Sequence, residues 1–254
     1  MLNISLPLFG VIFLVSLVLT MVGLGGGLIF SPLFILLGMA KAQAASASLF
    51  LNMVASASAA YTYSKKQLVS FSLAIPLLVS SSIAAPFGSY CNARIDTRPY
   101  LVIMAIVMAL AALRMLTAQK KEKTSALAST TRSKRILGGS CIGLCIGLAG
   151  GFLGIGGGIF IVPLLIYFLG VPTKVAAASS TFIVCFSSLS GFLGYASMQS
   201  VNWRFIVPAA LASVVGGQIG ARIMSSHLQG RSIKVLFGLV LLFFCAQLLY
   251  RALR

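Results

Sequence analysis

Long apolar runs without a single charged residue are the feature that most limits what this chain can fold into. Residues 4–22 and 101–113 contain no Asp, Glu, Lys, Arg or His, and a helix needs about 20 mainly apolar residues to cross a bilayer. Of the 254 residues 59% are hydrophobic and 8% are charged, whereas a soluble domain carries roughly 25% charged residues. The sequence therefore predicts a protein embedded in lipid. A soluble enzyme, a disordered chain and a secreted disulfide scaffold are excluded.

The apolar runs indicate helices rather than strands. They are apolar on all sides, whereas a membrane β-barrel needs segments of about 10 residues in strict alternation. We therefore predict an all-α polytopic membrane protein, with the lipid bilayer as a partner. The net charge of +17 would suit nucleic-acid binding, but the cations stand at the ends of apolar runs, where they favour the cytoplasmic side and lipid headgroups. No nucleic-acid partner is expected.

The chain also contains an internal repeat. The sequence Gly-Leu-Gly-Gly-Gly at residues 23–27 recurs as Gly-Ile-Gly-Gly-Gly at residues 154–158, which is 131 positions later. From residue 38 onward the separation is 132. In that register the following residues match: Ser48 with Ser180, Phe50 with Phe182, Tyr63 with Tyr195, Val69 with Val201, Phe71 with Trp203, Pro76 with Pro208, and Gly88 with Gly220. We predict two transmembrane repeats, 1–118 and 136–254, joined by a basic cytoplasmic linker at 119–135.

Each repeat holds five apolar segments. They lie at 4–22, 28–38, 44–63, 71–93 and 99–116 in the first repeat, and at 136–153, 159–169, 175–198, 205–224 and 233–253 in the second. The second segment of each repeat would form a helix only about 16 Å long, so we predict broken or half-length helices at the Gly-rich motifs. Five crossings per repeat would make the repeats inverted, and four would make them parallel. The absence of Lys and Arg from residues 1–10 favours an outside N-terminus and the inverted arrangement.

The glycine-rich motifs give the first indication of function. Each glycine destabilises a helix by about 1 kcal/mol relative to alanine, and non-helical backbone at membrane depth is tolerated only inside protein or beside an aqueous cavity. Broken segments at matching positions of two repeats indicate a transporter site, and the half-helices would direct their positive N-terminal ends at an anion. Other glycines have the four-residue spacing of close helix packing: Gly143, Gly147 and Gly151, and Gly216 and Gly220.

Polar residues in the third segments give the second indication. Ser48, Asn52 and Ser56 recur at every fourth position and so share one helix face. Hydroxyls and carboxamides donate hydrogen bonds to an oxyanion without carrying charge, although serines and threonines also bond their own backbone or join helices. The second repeat offers Ser179, Ser180, Thr181 and Ser187. The predicted substrate-binding residues are Gly25, Gly26, Gly27, Ser48, Asn52, Gly156, Gly157, Gly158, Ser179, Ser180 and Thr181.

The chain has only two acidic residues, Asp96 and Glu122, and both lie in predicted connections. Proton-coupled carriers usually place a carboxylate or a histidine inside the membrane, so no carboxylate relay is expected. A path without fixed negative charge admits anions, and an inside-negative potential assists their exit by about 2.3 kcal/mol per charge per 100 mV. These considerations favour export of a small anion. Uptake would need a coupling ion bound by carbonyls and hydroxyls.

No catalytic residue, metal site or cofactor is predicted. The five cysteines include no Cys-x-x-Cys pair, and the single histidine, His227, lies in a basic loop. A membrane-embedded enzyme would need paired carboxylates, a histidine cluster or a nucleophile activated by histidine. A membrane scaffold or assembly factor is a further alternative, but it would not need broken segments in both repeats.

The two motifs resemble those of the sulfite exporter TauE/SafE family of membrane permeases. The resemblance is carried by Gly-Leu-Gly-Gly-Gly-Leu-Ile-Phe-Ser-Pro-Leu at 23–33, by Gly-Ile-Gly-Gly-Gly-Ile-Phe-Ile-Val-Pro-Leu at 154–164, and by Ala-Ala-Ala-Ser-Ser-Thr-Phe at 176–182. It implies an inner-membrane permease for sulfite, sulfonates or similar organosulfur anions, with functional residues at glycines 25–27 and 156–158 and at the polar positions that follow. The first repeat has Ala45-Ser-Ala-Ser48 where the second has Ser179-Ser-Thr181, so we expect the two half-sites to contribute unequally. An ion-coupled uptake permease for organic anions remains an alternative.

Overall fold

A computed structural model of the chain is all-helical over the residues that it describes. These are residues 6–24, 26–96, 132–167, 169–198 and 201–226, with isolated helical positions between 99 and 113 and between 235 and 250. The described helices are α1 (Leu6–Val22), α2 (Gly27–Leu36), α3 (Lys41–Lys65), α4 (Phe71–Ala93), α5 (Arg132–Leu153), α6 (Gly158–Tyr167), α7 (Thr173–Ala196) and α8 (Trp203–Ser226). The prediction of an all-α protein is confirmed.

The helix bounds follow the predicted segments closely. The fourth segment of the first repeat coincides with α4, and both short segments form helices of 10 residues, α2 and α6. Helix α5 begins at Arg132, inside the region predicted as linker, because the cations there do not prevent a helix that continues into an apolar run. The rest of that linker, residues 119–131, lies outside the described residues.

Among the described helices, three are long and apolar enough to cross a membrane: α4, α7 and α8. Helix α4 exposes an apolar stripe in which Ile75, Val79 and Ile83 are between 50% and 59% exposed. These residues recur at every fourth position, which is one face of a helix. An exposed apolar face of this kind is typical of contact with lipid, since water would disfavour it. The length of these helices and the exposed apolar face of α4 are thus consistent with a membrane protein.

Helix α3 lies at the centre, between helices of the second half of the chain. Its Asn52 contacts Ser188 of α7, and its Phe50 packs against Phe192 of the same helix with ring centroids 5.0 Å apart. As the residue number falls from 52 to 50 in α3, it rises from 188 to 192 in α7, so the two helices run in opposite directions where they cross. Helices α3 and α7 therefore form the antiparallel centre of the molecule.

Small residues bring helices around this centre together in pairs. A β-carbon at Gly147 or Gly151 would meet the backbone of α4, at Ser81 and Ala85 respectively. A β-carbon at Gly216 or Gly220 would meet the backbone of α1. The prediction that these glycines pack helices closely is confirmed, and it explains how α4 and α5, and likewise α1 and α8, approach each other.

The half-helices begin near the middle of the molecule. Gly27, the first residue of α2, lies against Asn52, which is near the midpoint of the 25-residue helix α3. From there α2 runs for about 15 Å back to the start of α3. The non-helical residues that precede α2 and α6 are thus placed at about half the depth of the bundle.

Candidate substrate site

The two glycine breaks, residues 23–26 and residues 154–157, adopt backbone conformations that favour glycine. Gly26 has a φ of 143°, and Gly156 and Gly157 have φ values of 78° and 84°. L-residues rarely adopt positive φ because the β-carbon crowds the following carbonyl. The glycines therefore end α1 and α5 sharply and let the chain reverse into α2 and α6. Gly25, one of the predicted binding residues, lies outside the described residues.

Each break packs against the central helix from the other half of the chain. A β-carbon at Gly23 would lie 2.6 Å from the Cα atom of Ala177 in α7, and one at Gly154 would lie 2.7 Å from the β-carbon of Ala45 in α3. In the repeat register these two contacts are equivalent, since 23 corresponds to 154 and 45 to 177. No side chain larger than hydrogen fits at either position without a shift of its neighbours.

The first residues of the two half-helices also cross over. A β-carbon at Gly27 would lie 2.7 Å from the carbonyl oxygen of Ile155, and one at Gly158 would lie 3.2 Å from the Cα atom of Leu24. Both breaks and both half-helix N-termini therefore meet in one buried place. The structure brings together Gly26, Gly27, Gly156, Gly157 and Gly158 from the predicted site.

Ser48 connects the two breaks. Its hydroxyl lies 2.9 Å from the carbonyl oxygen of Gly27 and 3.0 Å from that of Gly154, and the residue is fully buried. One hydroxyl proton is thus shared between the half-helix α2 and the break before α6. Ser48, a predicted binding residue, therefore links the two halves of the chain.

Asn52 makes a second connection one helical turn later. Its Nδ2 atom donates to the carbonyl oxygen of Ile155 at 2.8 Å and to the hydroxyl of Ser188 at 2.9 Å. The side chain is fully buried, so these two bonds fix the orientation of the carboxamide. Its Oδ1 atom has no hydrogen-bond partner.

Ser187 and Ser188 belong to the site but were not among the predicted binding residues. The Ser187 hydroxyl donates to the carbonyl oxygen of Gly156 at 2.7 Å, and Ser188 accepts the bond from Asn52. Ser188 could have been found in the sequence, because the separation of 132 makes it the equivalent of Ser56 on the predicted polar stripe.

Two predicted residues make their bonds elsewhere. The Ser179 hydroxyl accepts a hydrogen bond from the backbone amide of Ser70, at the start of α4. The Thr181 hydroxyl donates to the carbonyl of Ala177 in its own helix at 2.9 Å, which is the usual bond of a threonine inside a helix. The Ser179 contact therefore links α7 to the residue before α4, and the Thr181 contact lies within α7. Neither contact is made with a glycine break.

Two further hydroxyls are fully buried and have no hydrogen-bond partner, those of Ser56 and Ser180. Burying a hydroxyl without a partner costs about 1–3 kcal/mol, so such atoms are uncommon without a reason. Ser180 was a predicted binding residue. Ser56 was predicted to share the polar face of Ser48 and Asn52, and its complete burial agrees with that.

We expect Ser48→Ala to lower the free energy of unfolding by about 1–3 kcal/mol, because it removes the donor to two buried carbonyls. Ser180→Ala, at the equivalent position, should change stability by less than about 0.5 kcal/mol, because no bond within the protein is lost. Thermal unfolding of the purified proteins in detergent measures both. Equal losses in the two variants would show that Ser48 does not hold the breaks together.

The polar groups of the breaks are not all used in the same way. The carbonyl oxygens of Gly154, Ile155 and Gly156 accept bonds from Ser48, Asn52 and Ser187. The first intrahelical bonds of α2 and α6 begin at Ile29 and Phe160. The amides of residues 27 and 28 in α2, and of residues 158 and 159 in α6, precede these bonds and carry the positive end of the helix dipole. The carbonyls of Gly154, Ile155 and Gly156 are thus occupied, while the first amides of both half-helices belong to the residues that meet at the breaks.

Known proteins resemble this chain over nearly its whole length. The sequence profile of the family described as Sulfite exporter TauE/SafE matches residues 8–248. The chain belongs to the sulfite exporter TauE/SafE family. The resemblance of the glycine motifs is thereby confirmed over nearly the whole chain, and the protein is a membrane transporter of the TauE/SafE type. No solved structure matches it.

Two relatives of similar length are named as transporters, and a longer relative matches part of this chain. "Probable membrane transporter protein YunE" of Bacillus subtilis (strain 168) is 25% identical over 91% of this chain and 92% of its own length. "Probable membrane transporter protein" of Xylella fastidiosa (strain Temecula1) is 27% identical over 94% and 92%. "Sulfite exporter TauE/SafE family protein 3" of Arabidopsis thaliana is 34% identical, over 40% of this chain and 22% of that protein.

Proposed function

We propose that this protein is a permease that exports small sulfur-containing oxyanions, such as sulfite and sulfonates, across the cell inner membrane. The substrate site is the meeting place of the two glycine breaks. The observation that carries the proposal is that the N-termini of α2 and α6 converge there, each against the break of the other repeat. Two positive helix ends at one buried place stabilise an anion.

The hydrogen bonds of the breaks support an anion over a cation. Exposed carbonyl oxygens in a broken helix would bind a cation, but Ser48, Asn52 and Ser187 already donate to three carbonyls of the second break. The chain also has no acidic residue other than Asp96 and Glu122, and neither lies in one of the described helices. A desolvated anion therefore meets donors and no fixed negative charge.

We further propose that the two repeats are inverted. The antiparallel crossing of α3 and α7 supports this, because the equivalent third helices of parallel repeats would run in the same direction. The reciprocal contacts of Gly23 with Ala177 and of Gly154 with Ala45 also support a twofold relation. Inverted repeats with broken helices at their interface are a common architecture of secondary transporters.

Flux through purified protein in liposomes tests the proposed function. We expect efflux of sulfite and methanesulfonate well above that of empty vesicles, without any ion gradient. An inside-negative potential set with potassium and valinomycin should accelerate it, because the potential assists anion exit. Efflux equal to that of empty vesicles across a panel of oxyanions would refute the proposal.

The same vesicles separate export from coupled uptake. An inward sodium or proton gradient should not drive accumulation of the anion in an uncoupled exporter. Accumulation against the anion gradient would instead identify an ion-coupled uptake permease. A deletion strain grown on a panel of sulfur compounds should then lose tolerance to the exported compound rather than the ability to use it.

A further inference from the structure

The two halves of the site are not equivalent, although the repeats supply them. With a separation of 132, Asn52 corresponds to Val184, and Ser56 corresponds to Ser188. Asn52 bonds to Ser188 across the centre. The matching contact in the other half falls on Val184 and Ser56, and valine has no polar atom. The hydroxyl of Ser56 is therefore left buried without a partner.

Ser180 shows the same asymmetry. Its equivalent, Ser48, donates to carbonyls of both repeats, whereas the Ser180 hydroxyl has no partner. In α7, Ser180 stands between Ala177, which contacts Gly23, and Val184, whose side chain lies against Gly156 and Gly158. Residues three and four positions apart share a helix face. Ser180 thus lies on the face of α7 that meets the two breaks.

The unpartnered atom of Asn52 is an obligate acceptor. The Nδ2 atom of Asn52 must be the atom that faces Ile155, because it lies 2.8 Å from a carbonyl oxygen. The opposite atom is then Oδ1, which can only accept hydrogen bonds and has no partner. Two donated bonds hold this oxygen in a fixed place, which is how a binding group is pre-organised.

We propose that Ser56, Ser180 and the Oδ1 atom of Asn52 bind the substrate, and that together they select a singly charged oxyanion that carries one hydrogen-bond donor. The two hydroxyls donate to oxygens of the anion, and Oδ1 accepts from an O–H or N–H group of the same molecule. Hydrogensulfite and hydroxyalkanesulfonates meet this description, whereas an alkanesulfonate does not. This proposal rests on the proposed function, since it assigns the ligand contacts of the same site.

A matched pair of sulfonates tests the selectivity without any mutation. 2-Hydroxyethanesulfonate and propane-1-sulfonate differ by a hydroxyl in place of a methyl group. We expect KM for efflux to be about tenfold lower for the hydroxyl compound, since tenfold corresponds to about 1.4 kcal/mol, which is within the net worth of one hydrogen bond. Equal KM values would overturn the proposed selectivity, and would indicate that Oδ1 does not bind the substrate.

Two serine variants test the donors. Ser56→Ala and Ser180→Ala should each raise KM for both sulfonates by about tenfold, and should still prefer the hydroxyl compound, because Asn52 is unchanged. Both variants should fold, since neither hydroxyl bonds to the protein. Ser82→Ala is the matched control: the Ser82 hydroxyl is also buried without a partner, but it lies in α4, where its carbonyl accepts from Ser190.

The possible failures of the two proposals are distinct. KM values of Ser56→Ala and Ser180→Ala that equal those of Ser82→Ala would remove these serines from the site and overturn the inference. Efflux of both sulfonates with no preference would overturn the selectivity alone. Absence of efflux for sulfite and for every sulfonate would instead refute the proposed function.

Discussion

Gly156→Ala should leave little folded protein and no measurable transport. Gly156 has a φ of 78°, a conformation that costs an L-residue about 1–2 kcal/mol. A β-carbon there would also lie 2.7 Å from the Nδ2 atom of Asn52 and would overlap the hydroxyl of Ser188. Overpacking of this kind costs about 1–3 kcal/mol, and it displaces the side chains that hold the second break.

Gly38→Ala is the matched control for Gly156→Ala. Gly38 has a φ of 89°, but a β-carbon there would have no neighbour within 4 Å. This variant should therefore show only the backbone cost and retain flux. Monodispersity and thermal unfolding in detergent, followed by sulfite efflux from liposomes, measure both variants. Equal behaviour of the two would mean that backbone conformation alone explains the glycine at 156.

Asn52→Asp should abolish efflux, whereas Asn52→Val should only reduce it. The valine variant removes two donated bonds and leaves a buried carbonyl and hydroxyl unpaired, at a cost of about 1–3 kcal/mol. The aspartate variant adds an unpaired buried charge, which costs several kcal/mol more, and it places that negative charge where the anion binds. If the site binds an anion, efflux per folded molecule should be lower with aspartate than with valine.

Asn92 supplies the control for the charge. It is fully buried in α4, and its Nδ2 atom donates to the carbonyl of Phe152 in α5 and not to a carbonyl of either break. Asn92→Asp and Asn92→Val should lower stability without a difference in efflux per folded molecule. If aspartate at position 52 supported efflux as well as valine did, or better, the substrate would not be an anion.

The sequence predicted the part of the site that is built from backbone. Three glycines in an apolar segment disfavour a continuous helix for energetic reasons, and their recurrence at 154–158 predicted a second break in the other half of the chain. The four-residue spacing of Ser48, Asn52 and Ser56 likewise determined which face of α3 is polar. These are local features, and local physics is sufficient to derive them.

The partners of the polar side chains could not be derived in the same way. Thr181 and Ser48 look alike as isolated hydroxyls, yet one bonds its own helix and the other bonds two breaks. The difference depends on which face of α7 or α3 meets the other repeat, and that is set by packing between residues about a hundred positions apart. For the same reason the role of Ser187 was not evident from its sequence neighbours.

The interlocked breaks also have a consequence for how this protein is made. Asn52 and Ile155 are separated by 103 positions, and a ribosome adds about 5–20 residues per second, so roughly 5 to 20 s pass between their synthesis. During that interval Ser48 and Asn52 are already within the newly inserted first half, but the carbonyls that they cap in the second do not yet exist. Completion of the transport path is therefore a late event, reached only after the second half has entered the membrane.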